Sequence, residues 1–209
     1  MQTNISKEDF YKENLVLLEG VQIELISRIE IMRKYKTAQN MRDPVEHCKG
    51  RIKSPNSMIE KLKKLGFEPT VENAMTKVFD AAGIRVVCSF IDDVYRIAEA
   101  IRQQPDITII AEKDYIKNPK PSGYRSYHIQ LQIPVTIGSR TENIYAEIQI
   151  RTVIMDCWAS LEHQLRYKHD ISRYEYISNE LKRCANELAS TELNFQTMRD
   201  LIQNAGDDK

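Results

Sequence analysis

The chain has no excess charge of either sign: 30 Lys and Arg balance 30 Asp and Glu among its 209 residues. A general nucleic-acid coat needs a basic surface, so this balance gives RNA no support as a partner. Long hydrophobic runs are also missing. No segment approaches the roughly 18 apolar residues that span a bilayer, and the stretch up to Asn14 carries acids in place of a leader's apolar core, so no membrane role is expected. Cysteine is scarce and scattered. Cys48, Cys88, Cys157 and Cys184 form no C-x-x-C, which excludes a zinc ribbon or disulfide framework and predicts reduced thiols in a cytoplasmic protein. Cys88 and Cys157 read as core residues. Neither G-x-x-x-x-G-K-[ST] nor G-x-G-x-x-G occurs, so a P-loop and a dinucleotide-binding turn are both unsupported. Repeats and low-complexity tracts are absent as well.

What is there is alternation. From Asn143 to Thr152, apolar Ile144, Ala146, Ile148 and Ile150 alternate with Tyr145, Glu147, Gln149 and Arg151. Side chains on a strand point to opposite faces with a period of two, so Glu147, Gln149 and Arg151 share a polar face over an aliphatic one. His128 to Ile133 repeats the pattern, and Arg85 to Phe90 repeats it less cleanly. Between these strands, Asp114 to His128 crowds Lys117, Lys120, Tyr124 and Arg125 around a Pro-Ser-Gly turn. The sheet therefore has one side for packing and one side open as the floor of a polar site.

Two more segments add chemistry. Ser54 followed by Pro55 fits an N-cap and first helical position, with Ser57 and Glu60 offering a second capping box one turn later. Arg51 and Lys53 precede that helix start, where free N–H groups and the dipole favour an anion, and Lys61 and Lys64 lie one to two turns on. This suggests a triphosphate cradle. Asp80 stands ahead of Gly83 and an apolar strand, where a carboxylate can hold Mg²⁺ together with a second one such as Glu147.

Outside this core, Val21, Leu25, Ile29 and Met32 mark an N-terminal helix, another helix starts near Thr152, and a polar helix from about 177 to 203 carries Leu181, Cys184, Leu188 and Phe195 on a stripe too narrow to bury alone. The expected architecture is α+β: a mixed β-sheet with one helix-packed face and one open polar face, flanked by N- and C-terminal helices. The boundaries fall at 1–44 for the N-terminal helical region, 45–170 for the catalytic domain and 171–209 for the C-terminal helical region.

These residues resemble the small alarmone synthetases, the single-domain members of the Rel/Spo group. The matching pieces are Gly50-Arg51-Ile52-Lys53 with Ser57, Asp80 to Arg85, Asp114 to Lys120, Gly123 to His128, Glu147 to Thr152 and Trp158 to His163, in that order. The resemblance implies a nucleotidyltransferase-like synthetase fold and transfer of the β,γ-pyrophosphate of ATP to the 3′-hydroxyl of GDP or GTP. It further implies that Arg51 and Arg85 flank adenine, that Lys53, Ser57, Lys61 and Lys64 hold the ATP phosphates, and that Tyr124 stacks on guanine. Lys117, Lys120 and Arg125 would belong to the acceptor side, the last two near its phosphates, with Gln149 and Asp156 near its nucleoside and His128 near the reacting groups. Asp80 would hold Mg²⁺, while Glu147 would share the metal or accept the 3′-hydroxyl proton. A homotetramer built on the terminal helices is implied too. His169-Asp170 lacks upstream His partners, so the hydrolase domain of longer relatives looks absent. Two alternatives stay open: a nucleotide- or RNA-binding regulatory module on the same fold, and a pyrophosphokinase acting on adenosine nucleotides or the tRNA 3′ end.

Overall fold

The computed structural model describes residues 5–167 and 174–207. Two N-terminal helices, α1 (Lys7–Tyr11) and α2 (Asn14–Ala38), lead into strand β1 (Val45–Ile52), followed by α3 (Pro55–Lys64), α4 (Val71–Thr76) and β2 (Ala82–Cys88). Helix α5 (Ile91–Arg102), β3 (Thr108–Asp114), β4 (Tyr127–Ile137), β5 (Arg140–Thr152), α6 (Val153–Tyr167) and α7 (Tyr174–Asp207) complete the chain. The strands form one five-stranded sheet in the order β1-β2-β5-β4-β3. Only β2 and β5 run parallel; the other pairings are antiparallel, so the sheet is mixed as expected.

The aliphatic face of that sheet builds the core. Ile84 and Val86 of β2, Ile129, Leu131 and Ile133 of β4, and Ile148 and Ile150 of β5 are buried with Leu18, Val21, Leu25 and Ile29 of α2 and Val94, Ile97 and Ile101 of α5. The spacing of Val21, Leu25 and Ile29 puts one stripe of α2 on the sheet, while Val16, Ile23 and Ile31 on the rest of the helix are exposed. A second, smaller cluster joins Trp158 of α6 to Leu181 and Ala185 of α7, with Trp158 Nε1 donating to the Leu181 carbonyl at 3.0 Å. Thus α7 packs on α6, and its stripe is only partly satisfied: Leu193, Phe195, Met198, Leu201 and Ile202 are exposed.

Several expectations change. Strands β1 and β3 form the two edges of the sheet, beyond the strands that the alternation marks. The second capping box does not form, because Ser57 lies inside α3 and its N–H is accepted by the Ser54 side chain at 3.4 Å. All four cysteines are free thiols, but Cys157 is exposed whereas Cys88 is buried; Trp158, its neighbour, takes the inward position on α6. His169-Asp170 and the 170/171 boundary lie outside the described residues. Among the described residues, no helix is long and apolar enough to cross a membrane.

Ile148 sits fully inside, between two helices and two strands, so Ile148→Ala leaves a cavity there. We expect it to cost about 2–5 kcal/mol in equilibrium urea unfolding; a cost below about 1 kcal/mol would mean this face of β5 is not the core.

Candidate active site

Strand register assembles the site. Across the sheet, Arg51 pairs with Gly83, Gly83 with Glu147, and Glu147 with Gln130; the next row is Lys49, Arg85, Gln149 and His128. Residues in one row on one face are neighbours, so the polar face presents cations from β1 and β2 beside the carboxylate of β5. Gly83 contributes no side chain between Arg51 and Glu147. A cavity of about 510 Å³ opens over these rows, lined by Arg51, Lys53, Asp80, Arg85, Glu147 and Gln149, with Asp156 and Ser160 of α6 on its far wall.

At one end, Lys53 Nζ lies 2.9 Å from Asp80 Oδ2 and Lys61 Nζ 2.8 Å from Oδ1. The Lys61 contact is an ion pair without hydrogen-bond alignment, so Oδ1 is buried with no directed donor. The backbone here is braced from α1: the buried Tyr11 hydroxyl donates to the Lys53 carbonyl at 2.8 Å. Helix α3 starts immediately beyond, capped by Ser54 with Pro55 at its first position. Its free N–H groups therefore face the same end as both lysines.

At the centre, Glu147 accepts from Gln149 Nε2 at 2.7 Å and Gln130 Nε2 at 3.3 Å, and His128 Nδ1 lies 3.4 Å away. Burial alone would raise its pKa, but the hydrogen bonds and charge of His128 together with the two glutamine amides bring it down to about 2. Glu147 is thus an anion at neutral pH. His128 Nε2 in turn meets the Tyr124 hydroxyl at 2.9 Å. Tyr124 receives the Lys120 ammonium 4.8 Å from its ring centroid, and Lys120 also lies 4.7 Å from that of Tyr115. Burial lowers the pKa of Lys120, whose ammonium has left much of its water behind.

Asp156 links both ends: Arg85 Nη1 is 3.2 Å and Arg151 Nη1 3.1 Å from its Oδ1. Burial and the charge of Arg151 both lower the pKa of Arg85, and Asp156 opposes them. The arrangement holds more cations than carboxylates on one concave face, which suits a polyanionic ligand.

The structure brings together Arg51, Lys53, Asp80, Arg85, Glu147, Gln149 and Asp156 on one wall, with Lys61 on Asp80 and with His128, Tyr124 and Lys120 joined through Glu147. Ser57 sits in the first turn of α3, half-buried, while Lys64 is exposed at its far end. Two residues turn elsewhere. Arg125 Nη1 donates to the carbonyls of Gly123 at 3.0 Å and Ala185 at 3.2 Å, and Nη2 to Asn186 Oδ1 at 3.1 Å, so its guanidinium is held by α7. Lys117 is exposed, over the Tyr95 ring of α5 and 3.8 Å from Asp114. His47, Lys49 and Ser160 line the cavity without having been singled out in the sequence, and Arg151, expected on the polar face, had no role assigned there. For His47 and Lys49 the signal was available, since they stand four and two residues before Arg51 and so share its face.

Residues 50–172 match the region found in RelA/SpoT proteins, and the chain belongs to that family. Over 175 residues it is 38% identical to the GTP pyrophosphokinase YwaC of Bacillus subtilis strain 168, covering 84% of this chain and 83% of that protein. Its fold matches the crystal structure of small alarmone synthetase 2 from Bacillus subtilis with a TM-score of 0.82 at 35% identity, over 91% of this chain and 99% of the other. Small alarmone synthetase 1 of the same organism, solved with its product pppGpp, gives 0.84 at 30% identity over 92% and 98%.

The turn before β4 is closed by Gly123 N donating to the Lys120 carbonyl at 2.8 Å, with Gly123 at a φ of 91°. A Cβ there would stand 2.6 Å from Ala185 Cβ of α7. Gly123→Ala is therefore strained twice, by its backbone and by the helix behind it, and we expect about 1–3 kcal/mol of destabilisation in urea unfolding. An unchanged midpoint would contradict the packing of α7 on this turn.

Proposed function

We propose that the chain transfers the β,γ-pyrophosphate of ATP to the 3′-hydroxyl of GDP or GTP, giving ppGpp or pppGpp and AMP. The observation that carries this reading is a concave face lined by a lysine-clamped Asp80 and an ionised Glu147, with Tyr124 joined to Glu147 through His128 and the capped start of α3 following Lys53. Displacement at phosphorus asks a protein to position two nucleotides and neutralise charge, not to supply a nucleophile. The family's named activity fits that inventory.

In this reading Arg51 and Arg85 flank the adenine. Lys53, Lys61 and Ser57 take the ATP phosphates at the start of α3, with Lys64 adding only to the field. The incoming phosphates then draw Lys53 and Lys61 away from Asp80. Tyr124 stacks on guanine, Lys120 leaves that ring for the acceptor's phosphates, and Gln149 and Asp156 hold its nucleoside. Glu147 takes the proton from the 3′-hydroxyl as the oxygen bonds to the β-phosphorus. The bond from that phosphorus to the bridging oxygen of AMP breaks, and its electrons leave with AMP. His128 bonds Glu147 and Tyr124, which keeps the carboxylate beside the acceptor. Asp80, with one buried oxygen lacking a directed donor and Glu147 on the same cavity wall, fits Mg²⁺, which would neutralise phosphate charge when bound.

The exposed apolar residues of α7 support a homotetramer through the region 171–209, beside the N-terminal region 1–44 and a catalytic domain at 45–170. Free thiols accord with a cytoplasmic setting. A monomer in light scattering at micromolar concentration would overturn the tetramer.

The test is to supply γ-³²P-ATP and Mg²⁺ with GDP, GTP, ADP or bulk tRNA in parallel and to separate the products by thin-layer chromatography. Label should enter ppGpp or pppGpp, and Glu147→Gln should lower the rate by about 10²–10⁴-fold with both nucleotides still bound in calorimetry. Near-normal turnover of that variant would remove Glu147 from the chemistry, and label on tRNA or an adenosine nucleotide would reassign the acceptor. Tyr124→Ala should raise the acceptor KM about tenfold, as loss of one base stack does, and the ATP KM far less. Equal rises in both would argue against stacking on the acceptor.

A further inference from the structure

Arg151 follows Glu147 and Gln149 on the polar side of β5, and it is only 5% exposed. Its Nη2 donates to the Tyr124 hydroxyl at 2.6 Å and to Gln149 Oε1 at 3.0 Å, and its Nη1 donates to Asp156 Oδ1 at 3.1 Å. The guanidinium carbon also stands 5.0 Å from the centroid of the Tyr124 ring. Nε is buried without a partner. A buried guanidinium is costly unless its donors are matched, and here the acceptors come from three different parts of the chain: the turn before β4, strand β5 and helix α6. A planar fork can bridge three such groups; a lysine ammonium on a flexible stem cannot hold them in one plane.

These contacts coincide with one half of the site. Tyr124, Gln149 and Asp156 are the residues read above as meeting the acceptor's base and nucleoside, whereas Lys53, Lys61 and Ser57 are not among the arginine's partners. Asp156 keeps a second cation in Arg85 at 3.2 Å, so the adenine side retains its charge partner if Arg151 is replaced. The Tyr124 hydroxyl is held from both sides, by Arg151 and by His128 Nε2.

We propose that Arg151 is the positioning residue of the acceptor half-site, fixing the Tyr124 ring, the Gln149 amide and the Asp156 carboxylate relative to one another. It thereby sets affinity for the guanine nucleotide without touching ATP. This rests on the pyrophosphate-transfer reading, and in particular on Tyr124 meeting the acceptor.

The test compares wild type with Arg151→Lys, Tyr124→Phe and the double variant, reading KM for GDP, KM for ATP, kcat and the thermal midpoint. Tyr124→Phe keeps the stacking ring and deletes only the hydroxyl that Arg151 holds. Arg151→Lys should raise the GDP KM about tenfold or more, the scale of losing charge-assisted hydrogen bonds, with the ATP KM changed less than about twofold. Tyr124→Phe should also raise the GDP KM, and the double variant should lose less than the product of the two single losses, because the bond between Arg151 and the Tyr124 hydroxyl is lost in both. An unchanged GDP KM, equal rises for both nucleotides, or losses that multiply in the double variant would each overturn the proposal. If Arg151→Lys does not fold, Tyr124→Phe decides alone: a GDP KM equal to wild type refutes the positioning role. Wild-type transfer with indifferent variants defeats only Arg151; absence of transfer in the wild type defeats the functional reading itself.

Discussion

The parallel register of β2 against β5 sets Gly83 opposite Glu147 and Arg85 opposite Gln149, and every feature of the site depends on it. A slip of one residue would turn Glu147, Gln149 and Arg151 into the aliphatic core and bring Ile148 and Ile150 to the cavity. The core prevents that slip. Ile84 and Val86 on one strand and Ile148 and Ile150 on the other are buried against α2 and α5, so the hydrophobic effect that folds the sheet also fixes which charges face each other. Packing and function use opposite sides of the same strands.

Electrostatics on the polar side are arranged so that the protein is its own ligand. Lys53 and Lys61 close on Asp80, Arg85 and Arg151 close on Asp156, and Lys120 lies between Tyr115 and Tyr124. Lys53, Lys61, Arg85 and Lys120, all named for a nucleotide, thus already have internal partners. Without such partners, cations crowded on a partly buried face would repel one another and lose hydration. Nucleotide phosphates and a guanine ring therefore replace contacts of similar kind, which limits what each substrate gains in binding. Glu147 differs, because its partners Gln149, Gln130 and His128 stand beside it on the polar face and have no role in neutralising phosphates.

Much of this was legible in the chain, and unevenly. Alternation exposed β4 and β5 because both are interior strands with one face buried from Tyr127 to Val135 and from Ile144 to Thr152. The edge strands escaped. In β1, Glu46, Lys49 and Gly50 interrupt the pattern and a bulge falls between Val45 and His47; in β3 the register breaks between Ile109 and Ala111, and few side chains are buried. The α3 cap was readable from Ser54-Pro55 because capping is local. Of the site, residue types could be read but not their directions. Arg125 stands in a basic turn yet is held by Ala185 and Asn186, 60 residues away in sequence. Arg151 sat on the predicted polar face, but nothing local announces that one guanidinium joins Tyr124, Gln149 and Asp156. Such convergence exists only in the fold.

The central claim is that donor and acceptor meet at Glu147. The most direct measurement is a crystal structure of Glu147→Gln, which should trap both substrates, with ATP, Mg²⁺ and GDP. The account predicts the GDP 3′-hydroxyl oxygen within about 3.2 Å of the substituted side chain, guanine on Tyr124 and the ATP phosphates at the start of α3. Guanine away from Tyr124, or a 3′-hydroxyl directed out of the cavity, would contradict it.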